Sequence, residues 1–297
     1  MSKPRPHSPS RDVWDQFRRH RGAVAGGVIF LTLVVSVLLG PLIWRVDPAF
    51  IDLTIRNQGT SLSHPFGTDQ LGRDMLARMI AGGQVSMAVG LTAMVLSIAL
   101  GTLVGVLAGM TRWLDGPLMR LTDLFLALPL LPLLLVMVML FRETLSIRFG
   151  TETGIFLLIV VAIGITSWMP TARIVRGDVL ALKEREFVQA ARSVGTTNTM
   201  MITRHILPNV LSPILVSASL GIANAIITES ALSFLGLGFP PDFATWGRLL
   251  ADATVYITDY PARVIWPGVA ISLTVLAVTY MGDGLRDALD PRARHRK

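Results

Sequence analysis

The chain has 297 residues, 52% of them hydrophobic and only 16% charged, with a formal net charge of +7 and no cysteine. Soluble domains carry about 25% charged residues, so this composition asks for a membrane solvent. The lack of thiols excludes a disulfide framework, a thiolate nucleophile and any cysteine metal site.

A helix needs about 20 mainly apolar residues to cross about 30 Å of hydrocarbon. After a polar tail, residues 1–21, the first such stretch is Gly22 to Trp44. The preceding "FRRHR" has the look of a secretory signal, but "WRVDPAF" behind the apolar run offers no small-residue cleavage site, and the run reads as a retained anchor helix. A polar outer loop, residues 45–78, contains "HPFGTDQLGRDMLARM". The next spans are Met79 to Thr111, Leu124 to Phe141 (extended back through Pro117), and Thr153 to Ala172. His205 to Thr228, continuing to about Gly236, and Val264 to Gly282 complete six, and residues 284–297 form a second tail. Alternation then puts 19 of the 27 basic residues on one side. By the positive-inside rule that side, with both termini, is cytoplasmic. The basic charge therefore follows topology and does not argue for nucleic acid.

No G-x-x-x-x-G-K-[ST] stretch occurs, so the chain has no ATP-binding loop of its own. His7, His20, His64, His205 and His295 form no metal-ligand spacing, and no G-x-S-x-G elbow appears. No catalytic residue and no metal site is expected.

Acids near or within spans are costly and point to function by default. Asp123 lies three residues after Arg120, at the spacing of an interfacial ion pair. Glu229, in "IITESALSFLG", sits about two-thirds along the fifth span; it either lines a path or bonds a neighbouring helix. Gly101, Gly105 and Gly109 form a small-residue stripe that admits a close helix neighbour, in this chain or another. Pro129 and Pro132 are expected to bend the third helix.

Between the fourth and fifth spans lies "EREFVQAARSVGTTNTMMITRHILPN", a soluble-looking stretch. Phe187, Ala190, Ala191 and Val194 fall on one helical face. Gly195 supplies a left-handed stop, Thr196 to Thr199 offer N-caps, and Pro208 should end a second helix. The result is a helix, a sharp turn and a helix: either a docking knob or a hairpin lying on lipid.

This stretch resembles the E-A-A-x3-G-x9-I-x-L-P signature of membrane subunits of binding-protein-dependent ABC importers. Ala190, Ala191, Gly195, Leu207 and Pro208 match; Gln189 replaces the acid and His205 the isoleucine, and Glu186 lies near enough to supply charge. "FRRHRGAVAG", "HPFGTDQLGRDMLARM", "RHILPNVLSPILV", "ESALSFLGLG" and "MGDGLRDALDPR" extend the likeness to the C-type permease of dipeptide, oligopeptide and nickel importers.

The resemblance implies an all-α type I permease fold in the bacterial or archaeal inner membrane, with residues 79–283 as its core. It implies a coupling loop at 180–209, in which Glu186, Phe187, Gln189, Ala190, Ala191, Arg192, Gly195, His205, Leu207 and Pro208 meet an ATPase. Partners would be a B-type permease, two ATPases that bind the ATP and Mg, and an extracytoplasmic binding protein. Gly67, Thr68, Asp69, Gly72, Arg73 and Asp74 would make outer contacts. The expected cargo is short peptides, with nickel, glutathione or another small solute as alternatives. A proton-coupled carrier working through Asp123 and Glu229 is the more remote reading.

Overall fold

The structure, a computed structural model, describes residues 9–289. The outer parts of both tails, including Lys3, Arg5, His7, Arg292, Arg294, His295, Arg296 and Lys297, lie outside the described residues. Within them the chain is nearly all helix, and the one β-bridge pairs Thr68 with Asp74. The helices are α1 (Pro9–Arg19), α2 (Arg21–Ile43), α3 (Met75–Met110), α4 (Arg112–Ala127), α5 (Leu130–Phe149) and α6 (Thr151–Thr166). They continue as α7 (Met169–Lys183), α8 (Glu186–Ser193), the single turn α9 (Asn198–Met200), α10 (Leu207–Phe234), α11 (Trp246–Thr254) and α12 (Ala262–Leu289).

Five helices among the described residues are long and apolar enough to cross a membrane, and six spans result if α6 and α7, bent by 42°, count as one. The outward faces suit hydrocarbon: Val28, Leu31, Leu38 and Leu42 on α2 are all exposed. In lipid such surface has no reason to hide, so packing rests on close backbone approach.

The glycine stripe supplies that approach, and its neighbour is in the same chain. A Cβ on Gly101 would lie 2.7 Å from the Trp168 carbonyl oxygen, and one on Gly105 2.7 Å from that of Ala172. At Gly109 it would meet Val179 Cγ1 at 2.6 Å. Real Cβ atoms do not come so near, so only glycine lets α3 lie against α7.

Three expectations change. The third span is α5; α4 is a separate helix, and the chain breaks between them at Leu128 and Pro129. Pro129 is the N-cap of α5 and Pro132 falls in its first turn, where a missing N–H has no helical partner to lose. The prolines therefore start a helix instead of bending one. The fourth span is broken at Ser167 and Trp168, so Thr153 to Ala172 is not one straight helix. Finally, Pro208 does not end the second helix of the hairpin. A π-helical stretch, Met201–Ile206, joins α9 to α10, and Pro208 sits in the first turn of α10. The wider turn carries the chain past the missing donor.

Candidate functional site

The site is the segment between α7 and α10. Helix α8 closes with a complete glycine stop: Thr196 N–H bonds the Ala191 carbonyl at 3.1 Å and Gly195 N–H the Arg192 carbonyl at 3.0 Å, with Gly195 at φ +87°. This is the double-bonded left-handed C-cap. Thr197 then caps the next turn, its hydroxyl accepting from Met200 N–H at 3.4 Å. The chain thus reverses sharply within Val194–Thr197.

The knob is anchored chiefly by Val188, with Ala191 packed beside it. Val188 is fully buried in a cluster with Val106 of α3, Val175 and Val179 of α7, Met201 and Ile206 of the π turn, and Val210 of α10. Val188 thus sits in a cluster that also holds side chains of α3, α7 and α10. The sequence face of Phe187, Ala190, Ala191 and Val194 turns out mainly outward. Phe187 is 45% and Val194 86% exposed, Ala190 is exposed, and only Ala191 is half-buried. The anchoring stripe, Val188 with Ala191, is rotated from it by one residue; its i,i+3 spacing was present in the sequence.

His205 tilts against Phe187, with ring centroids 6.4 Å apart at 44°. The imidazole thus fills the place of the expected isoleucine as a packing group. Gln189 reaches the Glu184 carbonyl at 3.5 Å, and Glu186 and Arg192 stay on the exposed surface. Leu207 is half-buried in the anchor cluster and Pro208 is exposed.

Helix α7, which leads into the knob, is held to its neighbours by polar ties. Arg176 grips Asp115 of α4 with two nitrogens, Nη2 to Oδ2 at 2.8 Å. Hydrogen bonding from this guanidinium holds the Asp115 carboxyl below its ordinary range against a smaller effect of burial. Lys183 Nζ donates to the Gly109 carbonyl at 2.9 Å, near the end of α3. Asp123 pairs across to Arg173 of α7, not with Arg120 as its spacing suggested, because α4 turns that face toward α7.

The outer loop holds a second cluster. Asp69 accepts from Arg73 Nε at 2.7 Å and Arg78 Nη1 at 2.6 Å. Asp74 takes the Trp44 indole N–H at 2.9 Å and meets His64 Nδ1 at 2.8 Å. Arg263 donates to the Thr68 carbonyl at 2.6 Å. Gly67, Thr68, Asp69, Gly72, Arg73 and Asp74 are all buried. They shape the loop from inside, and its outer surface is made by neighbours such as Phe50 and Leu62.

Glu229 is fully buried. It accepts from Ser86 of α3 at 3.0 Å and from Ser233 at 2.7 Å. Of the two readings of this acid, these bonds match the helix-to-helix tie.

Comparison with known proteins matches residues 97–295 to the family of binding-protein-dependent transport system inner membrane components. Residues 8–60 match the N-terminal transmembrane domain of oligopeptide transport permease C. A protein of Brucella suis biovar 1 named as a candidate peptide permease is 40% identical over 99% of this chain and 94% of its own length. The dipeptide transport system permease protein DppC of Alkalihalophilus pseudofirmus is 36% identical over 97% of this chain and 91% of its own. A solved amino acid ABC transporter aligns with a TM-score of 0.48 at 20% identity, over 72% of this chain and 94% of that one.

Proposed function

The chain belongs to the family of binding-protein-dependent transport system inner membrane components, and from that premise we propose that it forms half of an import pathway for short peptides and is driven through the α8 knob by a separate ATPase. As a family member it is a multi-pass bacterial inner-membrane protein, a permease subunit of an ABC importer and not an enzyme. Peptide cargo is our reading; the names of its relatives in Brucella and Alkalihalophilus support it.

The observation that carries the coupling role is the two-sided character of α8. Phe187 and Val194 face outward while Val188 is locked among α3, α7 and α10. An exposed apolar face on a rigidly mounted knob suits insertion into a partner's cleft. Closure of two ATPases on ATP then shifts two such knobs, and the packed spans follow. The energy available is the difference in ATPase affinity for the two arrangements. The partners would be a B-type permease, two ATPases that hold the ATP and Mg, and an external binding protein. Both termini lie in the cytoplasm in this reading, on the side of the knob.

The test is a Gly195→Arg variant. Space around Gly195 is open, so the change acts through the positive φ, which an L side chain adopts at a cost of about 1–2 kcal/mol. The variant should insert normally yet lose the ATPases on co-purification, or lose their stimulation by substrate in nanodiscs. If the ATPases stay bound and fully coupled, the knob is not the docking element. If the knob lies on lipid instead, the variant will change neither property.

A further inference from the structure

An open cavity of about 510 Å3 lies between α3, the α4–α5 junction, the α6–α7 break and α10. That is within the usual range of about 300–1,000 Å3 for ligand sites. Among the described residues that line it none is charged, yet Ser97, Thr166, Ser167, Ser217, Asn224 and Thr228 give it a polar stripe.

Two features say that this surface does not face lipid. Asn224 is exposed in the middle of α10. Its one hydrogen bond outside the helix ladder among the described residues is the one its carbonyl accepts from Thr228 Oγ1 at 2.7 Å, which leaves the side-chain amide free. A free amide turned to hydrocarbon has no partner to replace water. The second feature is the break between α6 and α7, which opens onto the same space. Thr166 Oγ1 returns to the Ala162 and Ile163 carbonyls at 2.8 and 3.2 Å. Interrupted backbone at membrane depth occurs only where protein covers it or water reaches it.

Building on the importer reading, we infer that this cavity is the water-filled half of the pathway and that Asn224 bonds the backbone of a passing peptide there. A carboxamide carries a donor and an acceptor side by side, the complement of a peptide C=O and N–H. With no charged side chain in its lining, the cavity itself does not sort the side chains of the cargo by sign. The lining therefore holds what all short peptides share.

Cysteine is absent from the sequence, so single cysteines report cleanly. The variants are Asn224→Cys, Thr228→Cys as a second probe, and Leu31→Cys on the exposed face of α2. They would be placed in membranes of the chain's own organism, with the whole importer present, and treated with a charged, impermeant methanethiosulfonate. Only a hydrated thiol ionises, so Asn224→Cys and Thr228→Cys should react at least about tenfold faster than Leu31→Cys. In parallel, ATP-dependent uptake of Ala-Ala-Ala, Ala-Glu-Ala and Ala-Lys-Ala is measured. Wild type should take up all three at similar rates, whereas Asn224→Asp should lower Ala-Glu-Ala relative to Ala-Lys-Ala by about tenfold or more through like-charge repulsion.

If both cysteines are as inert as the one at position 31 while wild type still imports peptide, a partner helix or lipid covers the cavity and the inference falls alone. If they react but Asn224→Asp does not discriminate, the peptide-bonding role falls. If wild type shows no ATP-dependent uptake of any of the three, the peptide-import reading itself fails, and this inference with it.

Discussion

Ser86 on α3 donates its hydroxyl to Glu229 Oε2 on α10 at 3.0 Å, and its own oxygen accepts from the Trp246 backbone N–H at 3.2 Å. One serine therefore joins α10 to the start of α11 through a buried acid. Both named partners of Glu229 are hydroxyls, and none of its surface meets solvent. A proton carrier needs its acid to reach water from each side in turn, which this enclosure does not provide. Glu229→Gln should keep ATP-dependent uptake within about threefold, since the amide still accepts one bond and Ser233 can turn to accept the other. Glu229→Leu strands two hydroxyls at about 1–3 kcal/mol each, visible as a lower Tm in detergent. Loss of uptake in the glutamine variant at unchanged Tm would revive the proton-relay idea.

The contact between Gly105 and Ala172 sets the distance between α3 and α7. Any side chain at 105 must push the helices apart. Overpacking of this kind costs about 1–3 kcal/mol, so Gly105→Leu should lower Tm and reduce ATPase coupling together. Gly27, on α2, has open space where its Cβ would lie. Gly27→Leu should leave stability within about 0.5 kcal/mol of wild type and ATPase coupling unchanged. Equal effects at the two positions would mean that the stripe is not the packing seam.

If the knob drives the spans as proposed, helix α7 must move together with its neighbours. Arg176 ties it to Asp115 of α4 through two bonds. The pair is partly exposed, so Arg176→Ala should cost no more than about 1 kcal/mol of stability. Its larger effect should be on coupling: ATP is hydrolysed but fewer peptides enter per ATP. Arg176→Lys keeps the charge and loses the two-pronged grip, and should fall between. An unchanged ratio of peptide to ATP in the alanine variant would show that α4 plays no part in transmission.

The spans with uniform apolar runs and charged ends were legible. Arg21–Ile43 lies within one residue of where the bare sequence puts it, and Ala262–Leu289 contains the expected Val264 to Gly282 but runs on by about two turns. The α4–α5 break was not, because Pro129 serves equally as a kink or as an N-cap, and here it is the N-cap of α5. Pro208 misled for a similar reason: a π turn that admits it has no local signature. The signature residues marked the knob, and Gly195 does what its residue type foretells. They did not reveal Val188, which is buried in one cluster with residues of α3, α7 and α10. Asn224 escaped because an amide within an apolar run carries no charge to draw the eye. Its meaning comes from the cavity it faces.

The outer loop gives a prediction in pH. Burial pushes the Asp69 carboxyl up, but the backbone N–H of Arg73 and the charges of Arg78 and Arg73 outweigh it, and the group is held below its ordinary value. A carboxylate with a depressed folded pKa adds stability that is complete above the unfolded value of about 3.9. That contribution is lost as pH falls through the still lower folded value. Tm in detergent should thus be nearly flat from neutral pH down to about pH 4 as far as this group is concerned, and then fall with protonation. Asp69→Asn removes the charge between Arg73 and Arg78, both buried. It should cost about 3–5 kcal/mol at neutral pH and leave a shallower acid slope. If the variant's Tm falls in acid as steeply as wild type's, Asp69 does not hold the loop by its charge, and the cluster acts through its neutral bonds alone.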